Sequence, residues 1–64
     1  MDEDTLELTA SLCTRIGMIM EDASVIALTL AAASEADRME ALAQLDAAAG
    51  RISDLVRVVW AVQP

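Results

Sequence analysis

The chain has 64 residues, eleven acidic side chains, four arginines, no lysine and no histidine, for a net charge of −7. A hydrophobic content of 56% excludes intrinsic disorder, and the length allows one small domain, residues 1–64. A single cysteine excludes an internal disulfide, and the lack of histidine argues against a structural zinc site. Chains this short gain stability from disulfides, metals or a second subunit, so self-association or a protein partner is expected.

The N-terminus reads Met1-Asp2-Glu3-Asp4, the opposite of a positively charged signal-peptide start. Asp4 or Thr5 is placed to cap a first helix predicted over about 5–33. The carboxylates of Asp2, Glu3, Asp4 and Glu7 suit its positive end. Apolar or small residues recur at Leu12, Ile16, Ile19, Ala23, Ile26 and Leu30, in alternating steps of three and four that begin at Thr9. Ser34-Glu35-Ala36-Asp37 follows the capping-box pattern, with Ser34 as cap of a second helix over about 35–61. Its stripe is read as Arg38, Leu42, Leu45, Ala49, Ile52, Val56 and Val59.

The two stripes mirror each other about Ser34. The pairs 12/56, 16/52, 19/49, 23/45 and 26/42 all centre on it, so a chain folded there brings five apolar layers into register. The fold class is therefore all-α, an antiparallel two-helix hairpin assembling into a dimeric four-helix bundle. The competing arrangement is one continuous helix, because Ala31-Ala32-Ala33-Ser34 contains neither glycine nor proline. Gly17 and Gly50 interrupt the helices, each costing about 1 kcal/mol relative to alanine.

The outward side of the first helix should be polar and is not. Its outer positions include Met18, Val25 and Leu28. Its flank carries Leu6, Cys13, Met20 and Ala27, and a row of small residues runs Ala10, Gly17, Ser24, Ala31. The second helix has a mostly solvated back (Asp37, Glu40, Gln44, Ala47, Arg51, Asp54, Val58) and widens its apolar surface through Ala41, Ala48, Leu55 and Val62. A second copy is the simplest cover for the first helix. Cys13, Gly17, Met18, Met20, Ser24, Val25, Leu28 and Ala31 are the expected self-association or partner surface. The architecture is similar in size and topology to the Rop-type dimer of short hairpins. No residue motif matches that family, and its basic RNA-contacting face has no counterpart here.

Individual residues have two readings each. Cys13 reads as a small hydrophobe on the dimer face, the alternative being a redox switch or an intersubunit disulfide. Trp60, the only aromatic side chain, reads as packing against Leu6 and Leu8, the alternative being a partner anchor. Asp22 and Asp46 fall at one level of the hairpin but on different flanks, which favours solvated carboxylates over a metal pair.

With no cofactor, metal or small-molecule site expected, the function reads as a non-catalytic protein-interaction module: an adaptor, regulator or inhibitor acting as a homodimer. The alternatives are an antitoxin or phage-type inhibitor of a basic nucleic-acid-binding protein, and a Rop-like nucleic-acid-binding bundle. Net charge disfavours the last, since four scattered arginines are few to neutralise phosphates. No segment reaches the ~20 apolar residues of a membrane span, so a cytoplasmic protein without membrane or nucleic-acid partners is expected, in a composition that suits a GC-rich bacterial or phage genome.

Overall fold

A computed structural model describes residues 2–64. It contains two helices, α1 (Glu3–Ala32, 30 residues) and α2 (Glu35–Val62, 28 residues), joined by Ala33 and Ser34. They pack along their length as an antiparallel hairpin with Cα extents of 49 × 15 × 10 Å. A 30-residue helix is about 45 Å long at 1.5 Å per residue, so both helices run nearly the full length of the molecule.

Asp2 rather than Asp4 or Thr5 caps α1. Its carboxylate accepts a 2.7 Å hydrogen bond from the Thr5 backbone N–H, three residues ahead as N-cap geometry requires. Those bonds from Thr5 hold the Asp2 carboxyl below its usual value. Ser34 caps α2 as the sequence pattern predicts, accepting from the Asp37 N–H at 3.4 Å, and Ser34 O accepts from the Arg38 N–H at 2.8 Å.

The turn closes without glycine because it needs no left-handed residue. Ala33 (φ −80°, ψ 155°) and Ser34 (φ −65°, ψ 167°) are both extended, a region open to any L-amino acid. Two extended residues suffice to reverse the chain, and the continuous-helix alternative is excluded.

The stripe of α1 is as predicted: Leu12 is buried, and Thr9, Ile16, Ile19, Ala23, Ile26 and Leu30 are half-buried. The stripe of α2 is not. Its buried positions are Ala41 and Ala48, and its half-buried positions are Leu45, Ile52, Leu55, Val59 and Val62. Arg38, Leu42, Ala49 and Val56, placed in the seam by the mirror pattern, are exposed. Helix α2 is thus turned about its axis towards its Ala41–Ala48–Leu55–Val62 flank. The physical reason is the alanines. Two methyl side chains at the contact let the backbones approach closely, whereas Leu42 and Val56 at the centre would hold them apart.

One hydrogen bond ties the open end together. Gln63 Nε2 donates to Thr9 Oγ1 at 3.3 Å and to the Val59 carbonyl at 2.9 Å. Thr9, an odd member of an apolar stripe by sequence, is the acceptor that this end requires.

Candidate functional site

The packed seam leaves the hairpin with two broad faces. Each helix advances about 100° per residue, and in an antiparallel pair the same rotational side of both helices opens onto the same face. On one face α1 contributes Leu6, Cys13, Met20 and Ala27, spaced seven apart, and α2 contributes Leu42, Ala49, Val56 and Trp60. All eight are exposed, Trp60 by 76%, Leu6 by 54% and Leu42 by 47%. Between Leu6 and Ala31 no charged side chain of α1 points onto this face. On α2, Arg38 closes it at the turn and Asp46 stands at its rim.

The opposite face is charged. One groove across both helices is lined by Arg15, Met18, Ile19, Asp22 and Arg51, so Arg51 of α2 reaches the same cleft as Arg15 and Asp22 of α1. A second groove near the turn is lined by Thr29, Ala32, Ala33, Asp37, Glu40, Ala41 and Gln44. Its lining carries two carboxylates, Asp37 and Glu40, and no cation, which makes that groove acidic. The hydroxyls of Thr14 and Thr29 bond back to the Ala10 and Val25 carbonyls at 2.9 Å, so they are satisfied within their own helix.

The residues expected to form a single interaction surface divide between these faces. Cys13, Met20, Ser24 and Ala31 lie on the apolar face, with Gly17 at its rim. Met18 and Val25 lie towards the charged face, and Leu28, 74% exposed, points directly away from α2. Trp60 lies on the apolar face with Leu6 at the open end and is 76% exposed; Leu8 is exposed as well. The sequence reading missed Leu42, Ala49 and Val56 as surface residues because the mirror pattern assigned them to the seam.

Asp22 lines the charged cleft, whereas Asp46 lines a shallow depression of α2 with Leu42, Leu45 and Ala49. The two carboxylates are on opposite faces and share no site. Among the described residues no group of three or more His, Cys, Asp or Glu side chains converges, and no helix is long and apolar enough to cross a membrane. Among the described residues the buried side chains are Leu12, Ala41 and Ala48.

No known protein family, no curated protein and no solved structure matches the chain.

Proposed function

We propose that this chain is a non-catalytic helical interaction module that works as a homodimer and engages another protein as an adaptor, regulator or inhibitor. The observation that carries this reading is the division of the hairpin into one mainly apolar face, with Arg38 and Asp46 at its margins, and one charged face. A side that must be covered and a side that can recognise fit a scaffold better than a catalyst, which needs an enclosed site with convergent polar groups.

Near the turn, the charged face suits a basic partner. Asp37 and Glu40 line its groove near the turn, and the chain carries eleven acidic residues against four arginines. This favours the second reading, an antitoxin-like or phage-type inhibitor of a basic nucleic-acid-binding protein, over direct nucleic-acid binding, for which phosphate-neutralising side chains are scarce. A cytoplasmic site of action belongs to the same proposal.

The test is capture from a lysate of its native cell by the immobilised wild type, alongside an Asp37→Lys/Glu40→Lys variant of equal helicity. A protein retained by the wild type, released by salt and absent from the variant supports recognition through the charged face. Retention unchanged in the variant and insensitive to salt overturns it.

A further inference from the structure

We infer that the apolar face (Leu6, Cys13, Met20 and Ala27 on α1; Leu42, Ala49, Val56 and Trp60 on α2) is covered by the same face of a second copy of this chain. The inference rests on the homodimer reading and specifies the surface that makes it. Surface area is the first argument. The hairpin exposes 4766 Å², where a folded monomer of 6.8 kDa exposes about 4000 Å². The elongated shape alone raises the area above that value, and it leaves ample open surface for a second copy to cover the ~800 Å² that each partner contributes to a standard interface.

The second argument is shape. Bulky and small side chains alternate along each stripe at the seven-residue repeat: Leu6, Cys13, Met20, Ala27 on α1 and Leu42, Ala49, Val56 on α2. A two-fold-related copy therefore seats bulky rungs over small ones along most of the face, the interdigitation that helix packing needs. Gly17, Ser24 and Ala31, at or beside the rim, add no bulk to hold the copies apart.

The third argument concerns availability. With Leu12, Ala41 and Ala48 alone buried among the described residues, the hairpin has a meagre core, so the cover must be present whenever the chain folds. A second copy always is. The face also lacks the charged groups that would orient an unlike partner, having Arg38 and Asp46 only at its margins.

Light scattering after size exclusion tests this, on the wild type and on four variants whose helicity is checked by circular dichroism. Wild type is expected at twice 6.8 kDa. Met20→Glu and Val56→Glu should halve that mass, whereas Met18→Glu and Val25→Glu, directed away from this face, should retain it. A measurement on the unmutated protein covers the case in which a variant fails to fold. The Cys13 thiol should be protected from an aromatic disulfide reagent in the dimer and regain reactivity on dilution to monomer. A dimer with a freely reactive Cys13, or one lost through Met18→Glu but kept in Val56→Glu, overturns this face and leaves the homodimer standing. A wild-type monomer at high micromolar concentration overturns both.

Discussion

Gly50 sits in the interior of α2 with nothing within 4 Å of the place where a Cβ would stand, and it has no positive φ. Neither a close approach nor a special conformation requires glycine there. Its backbone freedom in the unfolded chain is a pure cost, so Gly50→Ala should stabilise the fold by about 1 kcal/mol. Thermal unfolding of the two proteins at equal concentration checks this, and a lower midpoint for the variant would mean that another surface approaches α2 at this position. Asp2 and Ser34 show the same local logic in the other sense. Each spends a short polar side chain on a backbone N–H that the first turn of a helix leaves unpaired.

At the scale of the helices, the decisive contact is the alanine pair of α2. Ala48 is 1% exposed, while Ala47 beside it is open to solvent. Ala48→Leu should therefore overpack the seam and cost about 1–3 kcal/mol. Ala47→Leu should stay within about 0.5 kcal/mol of the wild type. Denaturant titration distinguishes the two, and a neutral Ala48→Leu would restore the mirrored seam through Ala49. The stripe of helix α1 was legible because large apolar residues recur there with regular spacing. Helix α2 was ambiguous. Leu45, Ile52 and Val59 belong equally to two overlapping stripes, one completed by Leu42, Ala49 and Val56 and the other by Ala41, Ala48 and Leu55. Hydrophobicity prefers the first, close packing the second, and the structure adopts the second.

For the whole molecule, the consequence is a hairpin that buries little of its apolar surface. Among the described residues eleven large hydrophobic side chains remain exposed, several of them on one mainly apolar face. If a second copy covers that face, folding and association are linked, and the thermal midpoint should rise with protein concentration. Calorimetry across a hundred-fold dilution series (roughly two decades, each worth about 1.4 kcal/mol in a binding equilibrium) measures this. A midpoint independent of concentration would mean that two helices of this composition stand alone. The abundance of acid side chains acts at the same scale: under the proposed function it favours a basic partner without choosing its identity.

By itself the sequence determined the all-α class, the break at Ser34, the stripe of α1 and an inventory without histidine or lysine. These depend on periodicity, capping chemistry and residue inventory, which are local properties of the chain. Two matters were decided only by the tertiary structure: the rotation of α2 and the composition of the two faces. The rotation follows from how closely two backbones can approach, a property of the pair that no single stripe encodes. Once α2 turned onto Ala41 and Ala48, Leu42 and Val56 moved from core to surface. With Trp60 they joined Cys13 and Met20 on one face, while Met18 and Val25 were left outside it.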